Sequence, residues 1–362
     1  MKIGIIMYPY GERQPGGLPR IIFGWTQALL SVDRENEYLI FFKEPPKAAP
    51  ALSGNNWSTF VLGTGRFWLD RLRSAPQADV YLFNTPVLPF FFKPRRSVVI
   101  ALDYPYKYLK ANGLRERLFR LFVSWYHGRS LRRADHIIAV SESTKRDTVR
   151  FFGIPPEKIT VVYHGFTDIC ALPEEPLPLP EKFFFFAGTI KERKNVLNIV
   201  KSFELFRTEF PGAIHRLVLA GKNEGPYYEA VRAYIRERKL EEHTVFVGHL
   251  NERELSFVYR RAEALIFPSV VEGTGFPVLE AMNCGVPVIT SNIFGPSELG
   301  GNAALLVNPR EPAEIAVAME RLAHDPNFRK ERIRLGFEQV KHFDWKNTGT
   351  ETLQVLKRVA AH

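Results

Sequence analysis

Cysteine is nearly absent from this chain: Cys170 and Cys284 are the two it has in 362 residues. Two thiols so far apart make no disulfide framework and fit no metal-ligand spacing, so a reducing cytoplasm is the expected home. Long apolar runs are missing too. The run from Val87 to Phe92 is far short of the ~20 residues a spanning helix needs, and Pro94, Arg95 and Arg96 close it. The amino terminus has one lysine and a short apolar run broken at Pro9 and Gly11, so it reads as a first strand and turn with no secretion signal. Asp-x-Asp occurs nowhere, which argues against a divalent-metal nucleotide site of that type and predicts neither a metal nor a resident cofactor. The full G-x-G-x-x-G spacing is also lacking, so nicotinamide or flavin binding has weak support.

What is present is a globular composition, 45% hydrophobic and 24% charged, at a length that suits two domains. Strand-like runs alternate with helical stretches throughout, the pattern of mainly parallel α/β sheets. Prolines 173, 176, 178 and 180 interrupt this alternation once, and the join between domains is placed there. The expected fold is therefore two doubly wound, Rossmann-like domains in tandem. Residues 1–171 form the first and 172–344 the second, and ligands bind at the carboxyl ends of the strands in a cleft the two domains face. A last helix, residues 345–362, follows the second sheet and is free to pack back on the first domain. The charge is split unevenly: residues 1–170 hold 24 Lys and Arg against 14 Asp and Glu, while the rest hold 25 of each. All of the net +10 thus lies in the first half, which suggests that one domain meets an anionic partner such as a phosphorylated lipid or membrane surface. A basic surface that serves solubility alone is the simpler alternative.

Two segments carry the chemistry. In the first, Glu272-Gly273-Thr274-Gly275-Phe276-Pro277-Val-Leu-Glu280 follows a buried strand, and Pro277 suits the first position of a helix whose free N–H groups attract phosphate. Glu272 on the loop and Glu280 one turn into the helix are then expected to reach one mouth as acceptors for sugar hydroxyls. Alternatively, Glu280 only complements the helix dipole and Glu272 is a solvated loop residue. In the second, the strand ending at Ala187 runs into Gly188-Thr-Ile-Lys191-Glu-Arg193-Lys194-Asn195 and a helix. That places three cations where positive charge is disfavoured unless an anion is bound. With no metal, Arg193 and Lys194 would have to neutralise a leaving diphosphate. Gly16 and Gly17 sit in the first strand-to-helix connection, where glycine permits close approach of a ligand, and Asp103 ends a strand facing the cleft.

Taken in order, the E-x7-E pair, the Gly188 to Asn195 segment, Ala134 to Ser141 running to Gly165, Gly248-His249-Leu250, Pro296-Ser-Glu298 and Phe343-Asp-Trp345 resemble glycosyltransferase family 4, the retaining GT-B enzymes. The resemblance covers nearly the whole chain. It implies transfer of a hexose from a nucleotide-diphosphate sugar, with Arg193 and Lys194 on the diphosphate, Glu272 on the sugar and Glu280 on the ribose. It further implies that Gly188 and the segment from Gly273 to Phe276 line the donor, that Gly248, His249 and Leu250 lie near the base, and that Gly16 and Gly17 line the donor phosphate or the acceptor. Two positions depart from the family pattern: Leu102 stands where a histidine often precedes the aspartate, and Thr274 where phenylalanine is common.

Between Lys107 and Arg133 eight basic residues face a single acid, Glu116, among leucines and aromatics at helical spacing. Such a helix can lie in a membrane interface, or its apolar stripe can pack on its own sheet. The expected arrangement has Leu114, Leu118 and Leu121 inward and Arg117, Arg120 and Trp125 outward, with Arg132 in the same basic face. The leading reading is a metal-independent transferase acting on a lipid-linked or polysaccharide acceptor in cell-surface polysaccharide synthesis, peripheral at the inner face of the membrane and leaning to mannosyl or rhamnosyl transfer. A sugar-nucleotide epimerase or phosphorylase on the same scaffold is the enzymatic alternative. A polyanion or nucleic-acid binder is the non-enzymatic one, and the neutral second half argues against it.

Overall fold

The computed structural model describes residues 1–10, 17–46, 50–111 and 113–361. The chain divides into two compact units, Met1–Gly165 with Phe343–His362, and Phe166–His342.

The first unit runs β1 (Lys2–Ile6), α1 (Gly17–Val32), β2 (Glu37–Phe42), β3 (Trp57–Val61), β4 (Val80–Phe83), β5 (Ser97–Ala101), α2 (Leu114–Arg133), β6 (His136–Ala139), α3 (Glu142–Phe152) and β7 (Ile159–Val161). Its seven strands are all parallel, in the order β3-β2-β1-β4-β5-β6-β7. The inner strands are buried along nearly their whole length because helices cover both faces of such a sheet, so their sequences read as unbroken apolar runs. Local signals set the helix ends. Ser141 accepts the Thr144 amide at 3.2 Å to cap α3, and Gly153 stops it at φ 65°.

The second unit runs β8 (Phe183–Ala187), α4 (Val196–Glu209), β9 (Arg216–Ala220), α5 (Pro226–Glu237), β10 (Thr244–Gly248), α6 (Glu252–Tyr259), β11 (Ala264–Phe267), α7 (Phe276–Asn283), β12 (Val288–Ser291), α8 (Phe294–Gly300), β13 (Leu305–Val307), α9 (Pro312–His324) and α10 (Pro326–Val340). Its six parallel strands order as β10-β9-β8-β11-β12-β13. A capping box of Asn251 and Glu254 opens α6. The last helix, α11 (Trp345–Ala361), returns to the first unit, as the sequence suggests. Trp25 Nε1 of α1 donates to Thr352 Oγ1 at 2.8 Å, and Thr348 Oγ1 receives the Gly165 amide at 3.0 Å.

The units divide at Gly165, ahead of the proline-rich segment. Residues 168–175 belong to the second unit because they are strapped to it: Glu174 pairs with Arg260 and Arg261, the Glu175 amide donates to the Arg253 carbonyl, and Asn283 Nδ2 donates to Asp168 Oδ1. The same strap corrects the expectation for the cysteines. Cys170 and Cys284 are joined in a disulfide, with Cα atoms 5.5 Å apart. The chain folds residue 170 back onto the end of α7, a proximity that a separation of 114 residues conceals.

Candidate functional site

In a doubly wound sheet, two neighbouring strands whose connections leave toward opposite faces open a crevice at their carboxyl ends. In the second unit that point lies between β8 and β11. The loops leaving these two strands hold the two segments singled out from sequence. The first forms a single 3-10 turn, Glu192–Lys194, before α4. The second carries Glu272 into α7, whose capping residue is Gly275 and whose second residue is Pro277, one position later than expected.

The two loops meet through charge. Glu272 Oε2 accepts from Arg193 Nη1 at 3.2 Å and also from Lys194 Nζ. Lys194 and Glu272 are largely withdrawn from solvent and Arg193 is partly exposed. Lys194 Nζ also lies 4.4 Å from the centre of the Phe267 ring at the end of β11. The backbones are joined as well, since the Val270 amide donates to the Arg193 carbonyl at 2.9 Å. Two cations on one carboxylate, aimed from adjacent loops, make a site suited to a polyanion with hydrogen-bonding groups beside it.

Glycine lines the neighbouring strand ends. The Gly188 amide donates to Ala220, and the Gly221 amide to the Gly248 carbonyl at 2.7 Å. A Cβ on Gly221 would lie 1.9 Å from the Gly188 carbonyl oxygen, so only glycine lets the β8 and β9 turns touch. On the other side, the Gly295 amide donates to the Glu272 carbonyl at 3.1 Å, and a Cβ there would meet the Gly273 carbonyl at 2.0 Å. Gly273, Thr274, Gly275 and Phe276 are buried, whereas His249 is exposed and Leu250 half-buried. Sequence reasoning gave Gly221 and Gly295 no role and assigned none to Asn195. The signal for the first two was available, a glycine at a strand end or at the start of a helix beside the site.

Glu280 is more enclosed than Glu272: it is 2% exposed, and Tyr259 of α6 donates to its Oε2 at 3.3 Å.

In the first unit Asp103 follows β5, as read from sequence, and begins a tyrosine-rich turn. Tyr104 hydrogen-bonds Thr148 at 2.9 Å, Tyr106 bonds His127 Nδ1 at 2.8 Å and Tyr108 donates to Asp147 at 2.5 Å. Burial pushes the Tyr104 and Tyr106 phenols well up and lowers His127 to about 4, so its imidazole is neutral near pH 7. Gly17 begins α1; Gly16 lies outside the described residues.

Helix α2 turns out the leucines expected inward, while Trp125 stands outward as expected. Leu114, Leu118 and Leu121 are 71%, 58% and 60% exposed, and Phe119, Phe122 and Trp125 stand outward with them. The charges, conversely, hold the fold. Arg120 donates to the Leu109 carbonyl and pairs with Glu116, Arg132 donates to Phe152, and Arg129 and Arg133 reach the carbonyls of residues 89–92. Of the cations assigned outward, Arg117 and Arg132 are exposed and Arg120 is half-buried. Phe90, Phe91 and Phe67 extend the apolar face beyond the helix. No helix among the described residues is long and apolar enough to cross a membrane.

Two parallel α/β units with an anion-suited crevice in the second define a class, and family comparison agrees. Residues 33–168 match glycosyltransferase family 4 and residues 171–339 match glycosyl transferases group 1, so the chain belongs to these paired-domain glycosyltransferases. It is 28% identical over 242 residues to the O-antigen chain mannosyltransferase B of Escherichia coli, covering 63% of this chain and 62% of that protein's length. Among solved structures, sucrose-phosphate synthase from Thermosynechococcus elongatus superposes with a TM-score of 0.77 at 19% identity, covering 99% of both chains. Anabaena HepE in complex with UDP and glucose gives 0.77 at 18%, again over 99% of both. These are two-domain GT-B glycosyltransferases, and the likeness at that identity is one of fold.

Proposed function

We propose that this protein is a retaining, metal-independent hexosyltransferase that moves a sugar from a nucleotide-diphosphate donor to a membrane-linked glycan or lipid acceptor in surface polysaccharide synthesis. The observation that carries the reading is the convergence of Arg193 and Lys194 on Glu272 at the switch point of the second sheet. A diphosphate leaving group develops charge as its bond to the sugar breaks, and preorganised cations lower that barrier without a metal. In this scheme Arg193 and Lys194 take the diphosphate, Glu272 accepts from donor-sugar hydroxyls and Glu280 serves the ribose. Gly188 and the Gly273 to Phe276 segment line the donor, with Gly248, His249 and Leu250 near the base. Asp103 in the first unit serves the acceptor.

The E. coli relative bears the name of a mannosyltransferase of O-antigen chains, and this supports a hexose donor and a surface glycan acceptor. The exposed apolar face of α2 beside a unit that carries all the net positive charge supports peripheral contact with anionic lipid.

The test is release of nucleoside diphosphate from a panel of nucleotide sugars, with and without lipid-linked glycan acceptors, in EDTA. Release that depends on acceptor and a product with the donor's anomeric configuration, read by NMR, support the proposal. Free epimerised sugar without acceptor, inversion, or loss of activity restored by Mg²⁺ each overturn the part they address. Vesicle sedimentation tests the membrane contact. Replacing Leu118, Phe119 and Phe122 with serine is expected to release the protein from anionic vesicles, and undiminished binding refutes the contact.

A further inference from the structure

The Arg193, Lys194 and Glu272 cluster is assembled from loops that leave different strands, so its geometry depends on what holds one loop against the other. The side chain placed to do so is Asn195. It directly follows the two cations, is buried at 6% exposure, and has a left-handed backbone at φ 64°. Its Nδ2 donates to the Pro268 carbonyl at 3.0 Å and to the Pro309 carbonyl at 2.5 Å. Pro268 is the first residue after β11 on the loop that carries Glu272, and Pro309 follows β13. One amide group thus spends both of its N–H donors bracing three loops, and no hydroxyl or aliphatic side chain offers two donors from so short a stem.

We infer that Asn195 is a positioning residue for the diphosphate site, holding Arg193 and Lys194 in register with Glu272. This rests on the donor reading above. The residue type follows from two demands met at once. The turn needs a left-handed residue, which glycine and asparagine adopt with least strain, and the brace needs an amide, which glycine lacks. Asn195→Gly therefore keeps the backbone and removes the brace. Asn198, whose Nδ2 reaches the same Pro309 carbonyl at 3.1 Å and does not reach Pro268, supplies the control.

The experiment is calorimetric titration of the full chain with the nucleoside diphosphate and the nucleoside monophosphate of the base that wild type prefers. Asn195→Gly is expected to weaken the diphosphate about tenfold and the monophosphate less than about twofold, the loss of one charge-assisted contact's geometry. Asn198→Ala is expected to leave both within about twofold. Because the brace acts through the two cations, adding Asn195→Gly to a chain that carries both Arg193→Ala and Lys194→Ala should cost less than about twofold more. Equal weakening of both ligands, additive losses in the combined variant, or unchanged diphosphate binding each overturn the inference. Should Asn195→Gly not fold by circular dichroism, Asn195→Ser, which is neutral and has a single donor where the brace needs two, carries the same comparison. A wild type that binds no nucleoside diphosphate overturns the donor reading and this inference with it, whereas a wild type that binds and an Asn195 variant that binds equally overturn the inference alone.

Discussion

Glu272 neutralises the cations that a diphosphate would use, so replacing it with glutamine should separate nucleotide binding from turnover in opposite directions. In the structure its Oε2 holds Arg193 at 3.2 Å together with Lys194. At that separation and an effective dielectric near 20, the gross attraction to the Arg193 charge is about 5 kcal/mol. Exchange with water leaves roughly 1.5 to 3 kcal/mol for such a charged hydrogen bond. A diphosphate entering the site must displace this contact. A glutamine amide competes more weakly than a carboxylate, and a difference of about 1.4 kcal/mol makes nucleoside diphosphate binding about tenfold tighter. Turnover should fall, because the donor sugar loses its anionic acceptor. Titration calorimetry with nucleoside diphosphate at low and high salt, alongside initial rates, reads both effects. Weaker diphosphate binding by Glu272→Gln would refute the reasoning, since it would mean that the carboxylate organises the cations more than it occupies them.

Gly221→Ala is expected to lower stability by about 1 to 3 kcal/mol in urea unfolding and to weaken the nucleoside diphosphate, because its backbone is left-handed at φ 142° and its Cβ would meet the Gly188 carbonyl. The carboxylate of buried Asp70 accepts the amides of Phe90, Phe91 and Phe92, so Asp70→Ala should destabilise the protein by roughly 3 kcal/mol in the same assay and increase hydrogen exchange at those amides. His127 is held by burial at about 4 against an ordinary 6.5, so the unfolded chain takes up its proton first as pH falls. Stability should therefore decline from about pH 6.5 toward pH 4 by at most about 3 kcal/mol from this group, and His127→Gln should flatten that decline in pH-dependent unfolding.

The strands plainest in the sequence are the inner ones, where a run such as Phe183 to Ala187 has no polar residue to break it. Of the four edge strands, β3, β7, β10 and β13, the first and last escape a reading of the sequence. Trp57–Val61 is half to fully exposed, and Leu305–Val307 is three residues long, so neither shows a buried apolar run. Helix α2 failed for a related reason. The rule that apolar residues turn inward assumes that a helix packs through its side chains, but α2 touches its unit mainly through its last two turns. There Gly128, Ser130 and Leu131 are buried and arginines satisfy the carbonyls of the 89–92 loop. Long basic side chains can serve as packing and hydrogen-bonding material, and where they do the apolar residues are left for another phase.

Within the site, legibility followed the range of the interaction. Cations crowded beside a helix start and a glutamate after a buried strand are local anomalies, so Arg193, Lys194 and Glu272 could each be singled out from sequence, whereas their contact across 78 residues could not. Asn195 was hidden because its partners are backbone carbonyls, which every residue has and which no sequence pattern marks. The burial of Glu280 was hidden for the converse reason: its position in the first turns of α7 marks a helix end, while its partner Tyr259 lies 21 residues earlier on another helix. A side chain's charge announces what it needs, but whether a backbone carbonyl or a tyrosine on another element supplies that need depends on the topology. The charged residues of this site could therefore be read from sequence ahead of the neutral ones that hold them in place.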